Sequence, residues 1–224
     1  MTPQFRPVAD RAVLAEFADT ASPDAEQAVH SLDRALAADP FPGFDEAIPA
    51  FTSILVTFDP LATSHAEVTA HLARLAARPS PAPAPGPIRE IPVCYDAPYA
   101  PDLAEVARQT GQPPDAVIDA HLAATFHIVM YGFAPGYAYL AGLPETLRLA
   151  RKPVPRRDVP AGSVIIAGGQ CLVTTLTMPT GWWVIGRSPL SILTADPAHP
   201  VRFDVGDRIR FRRIPADELG AAHG

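Results

Sequence analysis

The chain has 224 residues, 48% of them hydrophobic and 19% charged, with a net charge of −6. This composition excludes a disordered chain and argues against a nucleic-acid binder. Two cysteines, Cys94 and Cys171, are too few for a disulfide scaffold, and Lys152 is the only lysine, which removes most Schiff-base and phosphate-lysine mechanisms. The first residues carry no apolar leader and no apolar run reaches 18 residues. The expectation is a cytoplasmic protein with one or two domains.

In chain order, Ala12 to Phe17 is short and apolar, as in a strand. Ser22-Pro23-Asp24 opens a helix, with Ser22 as N-cap and Pro23 in its first position. Ala25, Val29, Leu32 and Leu36 then follow helical spacing. Phe44 to Ile48 and Thr52 to Phe58 read as strands. Ser64-His65-Ala66-Glu67 is a capping box ahead of Val68, Leu72 and Leu75. The sum is a small two-layer α+β domain over 1–78. Alternating prolines from Pro79 to Pro87 predict an extended linker over 79–88.

Beyond it, Ile91 to Cys94 reads as a strand, and Pro101 to Thr110 and Asp115 to Ala120 as helices, the first stopped by Gly111. From Phe126 the chain breaks into short β runs: Phe126–Tyr131, Ser163–Ala167, Cys171–Leu176, Trp183–Ile185 and Arg208–Phe211. Many short strands with Gly and Pro turns predict a barrel or sandwich over 89–224.

Several segments carry chemistry or packing. Gly132-Phe133-Ala134-Pro135-Gly136-Tyr137 forces a turn, either to present backbone N–H groups to a ligand or to make a barrel corner packed with rings. Arg151 and Arg156 flank a Pro-rich connection and suit carboxylate capture; solvated surface charge is the alternative. Gly168-Gly169-Gln170 is either a hairpin turn or a close backbone approach to a ligand. Trp182, Trp183 and Arg187 combine two indoles with a guanidinium, a pairing common to binding surfaces and to cores. His121 is the preferred base, if the chain has one, and helix-end packing is its bland reading. The seven histidines have no metal-ligand spacing, and no phosphate-binding glycine loop is present.

The ordered set Ile91-Pro92-Val93-Cys94-Tyr95, Pro101-Asp102-Leu103, His121, Gly132 to Tyr137, Val159 to Val164, Gly181-Trp182, Gly186 to Pro189 and Gly206-Asp207 resembles the KipI / allophanate hydrolase subunit 1 family, whose members include the B component of 5-oxoprolinase. The resemblance runs from about Asp10 to Ile214. It implies a cyclophilin-like β-barrel for the second domain. It implies a component of an ATP-dependent 5-oxoprolinase-like hydrolase, inactive alone. Its partners would be the C component of 5-oxoprolinase (an allophanate hydrolase subunit 2 type protein) and an A-type component. ATP with Mg is implied for the complex and no cofactor for this chain alone. The alternatives are a KipI-type inhibitor of a histidine kinase and a component of a urea/allophanate-type carboxyltransferase.

By the same resemblance His121 takes a catalytic proton-transfer role. Tyr139, Arg151, Arg156, Gln170 and Arg187 line a substrate pocket at the barrel mouth. The chain departs from the family after Gln170, where Thr-Gly-Ile-Tyr-Pro is replaced by Cys171 to Thr175, and at Thr180, where the family has Gly.

Overall fold

A computed structural model describes residues 1–78 and 86–219, in two compact units, 1–84 and 85–224. The expected linker falls mostly outside the described residues, at 79–85.

Unit 1 contains β1 (Gln4–Val8), β2 (Ala12–Glu16), α1 (Pro23–Ala38), β3 (Phe44–Pro49), β4 (Ser53–Phe58) and α2 (His65–Ala76). Its sheet has the order β1-β2-β4-β3, antiparallel throughout. Alternation along β2 and β4 sends Val13, Ala15, Ile54, Val56 and Phe58 to one face. There they meet Val29, Leu32 and Leu36 of α1 and Val68, Leu72 and Leu75 of α2. Both helix starts are capped as their sequences dictate. Ser22 Oγ accepts the Ala25 N–H at 3.2 Å. The Ser64 N–H donates to Glu67 Oε2 at 2.9 Å while the Glu67 N–H returns to Ser64 Oγ at 3.4 Å. Strand β1 has no apolar alternation to announce it. It is an edge strand held by pairing with β2, where Pro7 is tolerated because one side of an edge needs no donor.

Unit 2 contains β5 (Ile88–Val93), α3 (Leu103–Thr110), α4 (Pro114–Ala123), β6 (Phe126–Tyr131), β7 (Ala138–Ala141), β8 (Arg156–Val159), β9 (Ser163–Ala167), β10 (Gln170–Val173), β11 (Met178–Thr180), β12 (Trp183–Arg187) and β13 (Arg208–Arg213). Seven of these strands form a sheet of order β12-β9-β10-β7-β6-β13-β5, with β5 and β13 parallel. Its two ends are tied together just beyond β5. The Cys94 N–H donates to the Arg187 carbonyl at 2.8 Å, and the Arg187 N–H returns to the Cys94 carbonyl at 2.9 Å. The result is a nearly closed barrel. Gly186 permits the closure: a Cβ there would lie 2.6 Å from Val93 Cγ1 and 3.0 Å from the Cys94 carbonyl oxygen.

One core lies inside this sheet and includes Val93, Phe126, Ile128, Leu140, Ile166, Val173, Ile185, Ile209 and Phe211, with Val106 of α3 and Val117 and Ile118 of α4. A second cluster lies on the outer face of β9, β10 and β12. It includes Ile165, Leu172 and Val184, with Tyr137, Val159 and Trp182. Burial on both faces explains the unbroken apolar runs Val164 to Ala167 and Cys171 to Val173, which alternation would not produce. The strand expected over Cys171 to Leu176 stops at Val173. Beyond it the Thr174 N–H still donates to the Ser163 carbonyl at 2.9 Å, while its hydroxyl donates to the Pro160 carbonyl at 2.8 Å and accepts the Ser163 N–H at 2.9 Å.

Candidate binding face and buried polar hubs

On the outer face, Tyr139 of β7 packs edge-on to Trp182, with ring centroids 6.1 Å apart. The Arg151 guanidinium lies 5.8 Å from the centroid of the same indole. A main-chain bond from the Lys152 N–H to the Gly181 carbonyl, 2.7 Å, pins the segment carrying Arg151 beside the turn carrying Trp182. Gln170 pairs with Ala141 and Ala167, so alternation puts it on this face as a diagonal neighbour of Tyr139. Burial raises the Tyr139 pKa and nearby Arg151 draws it back. Arg151 makes no ion pair among the described residues. An indole, a phenol, a carboxamide and a free guanidinium thus converge on a surface that suits a small planar anion.

Arg156 lies elsewhere, in a hub around Asp102. Asp102 is 6% exposed and precedes α3. Its carboxylate accepts Lys152 Nζ at 2.7 Å, an Arg156 guanidinium N–H at 2.8 Å and the Val184 N–H at 2.8 Å, while its own N–H donates to the Val184 carbonyl at 3.0 Å. It thereby fills the hydrogen-bonding positions that a neighbouring strand would fill on the edge of β12. Burial raises its pKa, and the bonds from Lys152, Val184 and Arg156 more than reverse this, leaving it below the usual carboxylate range. The one lysine of the chain is spent here, with Nζ 5.8 Å from the Trp183 ring.

His121 is sealed in the inner core, 0% exposed, packed against Phe126 and Phe211. One ring nitrogen, Nδ1, is 2.8 Å from the Tyr95 hydroxyl and the other, Nε2, is 3.5 Å from Cys171 Sγ. Burial pushes its pKa down to about 3, so the ring is neutral near pH 7. The proton-transfer role expected for it at the barrel mouth is therefore corrected: in this arrangement no substrate can touch the ring. The apolar positions of α4 that surround it turn it inward.

Arg187 stands at the far end of β9 from Gln170, opposite Ser163 where Gln170 is opposite Ala167. Their partners on β9 lie four strand steps, roughly 13 Å, apart. It borders a cleft of about 420 Å³ with Tyr99, Gly162, Ser188 and Leu190. The expected common pocket thus divides. Tyr139, Arg151 and Gln170 share the outer face, Arg156 belongs to Asp102, and Arg187 has its own cleft. Sequence reasoning missed the Asp102 hub. Its signal was an Asp placed as an N-cap, whose side chain makes no cap bond in the structure.

Residues 3–203 match the family model for the carboxyltransferase domain, subdomain C and D. The chain is 35% identical to the B subunit of 5-oxoprolinase from Bacillus subtilis over 97% of its length and 95% of that protein's. It is 40% identical to the corresponding B subunit from Escherichia coli over 58% of each. The solved protein TTHA0988 superposes with a TM-score of 0.79 at 32% identity, covering 92% of this chain; this chain spans about 40% of that longer one. The urea amidolyase of K. lactis, 15% identical, shares the fold with a TM-score of 0.80 over 98% of this chain. With the family model covering most of its length and an end-to-end relative in hand, this chain belongs to the carboxyltransferase subdomain C and D family, together with the B subunits of 5-oxoprolinase.

Proposed function

We propose that the chain is the B-type component of an ATP-dependent 5-oxoprolinase, inactive alone, and that its outer face supplies one wall of a substrate pocket completed by a C-type partner. The observation that carries this reading is the free Arg151 guanidinium held over Trp182 beside Tyr139. 5-Oxoproline is a flat five-membered lactam bearing one carboxylate. Arg151 takes the carboxylate, the Trp182 and Tyr139 rings take the apolar edge of the ring, and the Gln170 amide pairs with the lactam. His121, sealed in the inner core, does not reach that face, so proton transfer and activation of the lactam carbonyl are assigned to the partners. ATP and its Mg would be held by another component, where phosphorylation of the carbonyl oxygen makes the amide open to water.

The test is reconstitution with A-type and C-type partners and an assay of ATP-dependent glutamate release from 5-oxoproline. Arg151→Gln is expected to raise KM at least tenfold, with the thermal midpoint unchanged; the chain alone is expected to release nothing. An intact, assembled set that releases no glutamate, or an Arg151→Gln complex with wild-type kinetics, overturns it.

A further inference from the structure

The cleft beside Arg187 is a separate construction. Its frame is held by main-chain bonds: the Ser188 N–H donates to the Gly162 carbonyl at 2.7 Å and the Gly162 N–H to the Thr174 carbonyl at 2.6 Å. Gly162 has φ +82°, and a Cβ there would collide with the Ser188 carbonyl oxygen, so only glycine lets these two segments lie together. The serine and threonine hydroxyls around the cleft each make a hydrogen bond. Thr174 donates to the Pro160 carbonyl, Thr175 to the Pro135 carbonyl and Ser191 to the Leu193 carbonyl, while Ser188 Oγ accepts the Leu190 N–H. Two side-chain groups of the lining make no hydrogen bond or ion pair among the described residues: the Arg187 guanidinium and the Tyr99 hydroxyl. The remaining walls are Pro189, Leu190, Ile192 and Leu219, and no lining residue is acidic.

We infer that this cleft is a binding site for a small monocarboxylate whose body is uncharged and carries a hydrogen-bond acceptor. The guanidinium offers parallel N–H groups to a carboxylate. The apolar walls cover the body, and Tyr99 donates to the acceptor. An ammonium group would lose its hydration there with no counter-charge, so zwitterions are rejected. At about 420 Å³ the cleft lies within the size range of small-molecule sites. It distinguishes a lactam acid from the amino acid formed when the ring opens, because only the latter carries the ammonium. This inference stands apart from the oxoprolinase reading, which rests on the Arg151 face.

The purified chain is titrated with 5-oxoproline, isobutyrate, glutamate and inorganic phosphate, with binding followed at the backbone amides of Gly162 and Ser188 by NMR. Saturable shifts are expected with 5-oxoproline and isobutyrate, and binding at least tenfold weaker with glutamate. Arg187→Gln is expected to weaken both monocarboxylates tenfold or more. Tyr99→Phe is expected to weaken 5-oxoproline several-fold and leave isobutyrate alone. Arg151→Gln is expected to change nothing at these amides. Variants that keep the wild-type melting temperature qualify for comparison, and Tyr99→Phe serves if Arg187→Gln does not fold. No saturable monocarboxylate binding, equal binding of glutamate, or indifference to both substitutions overturns the inference. Binding by the chain alone is read here, so failure leaves the turnover test of the complex intact, and failure of that test leaves this one intact.

Discussion

Replacing Asp102 by alanine removes the single acceptor shared by Lys152, Arg156 and the Val184 amide. The Lys152 side chain is 9% exposed, so its ammonium would remain buried with its partner gone, at a cost of roughly 3–5 kcal/mol. The Val184 N–H, on the edge of β12, adds an unsatisfied donor, whereas Arg156 is 43% exposed and rehydrates with little loss. Allowing for partial relaxation, the total is roughly 4–5 kcal/mol. That is a large part of the stability of an ordinary domain, and it lowers the melting temperature of a unit this size by about 12–25 °C. Both tryptophans, Trp182 and Trp183, belong to unit 2, so urea unfolding followed by indole fluorescence reports on that unit alone. Lys152→Met removes the buried cation and leaves Asp102 with two donors, for an expected loss of only about 1–2 kcal/mol. The double variant, Asp102→Ala with Lys152→Met, is then expected to lose at least ~2 kcal/mol less than the sum of the two single losses. An Asp102→Ala loss under about 1 kcal/mol, or strict additivity in the double variant, would refute the account of Asp102 as a buried hub.

His121 makes stability depend on pH. Its folded pKa is about 3, against about 6.5 when unfolded, so between these values the unfolded chain binds a proton that the folded chain refuses. Stability of unit 2 therefore falls by about 1.4 kcal/mol for each pH unit below 6.5, down to about pH 3. Urea titrations from about pH 4.5 to 6.5, above the range in which Asp102 titrates, should show that slope, and His121→Leu should flatten it even if it lowers stability throughout. A slope unchanged in His121→Leu assigns the proton to another group. Gly186→Ala places a methyl 2.6 Å from Val93 at the barrel seam and is expected to cost about 1–3 kcal/mol. Amide exchange of Cys94 and Arg187 should rise with it, and unchanged protection there would show that the seam tolerates the methyl.

Local chemistry was readable along the chain where the deciding partners sit within a few residues. Ser22 and Ser64 bond to groups three residues on, so their helix starts follow from spacing alone. The turn at Gly168-Gly169, which the sequence left open between a hairpin and a ligand-approach loop, is the hairpin between β9 and β10. Strands β1, β8 and β11 were not readable, because Gln4 to Val8 and Arg156 to Val159 become strands through pairing rather than through their own apolar pattern. The arginines show the same limit more sharply. Arg151, Arg156 and Arg187 are equal as letters, yet one meets an indole, one a buried carboxylate 54 residues away and one an apolar cleft.

Residue order by itself determined the helix caps, the inward faces of α1 and α2 and the family to which the chain belongs, since each depends on spacing or on an ordered set of motifs. Tertiary structure alone decided that His121 is a core group, that Asp102 replaces a strand on the edge of β12, and that the candidate binding residues fall in separate places. A side chain's role is set by its desolvation and by whichever charges the closed barrel brings beside it, and those neighbours come from strands and helices far apart in the sequence.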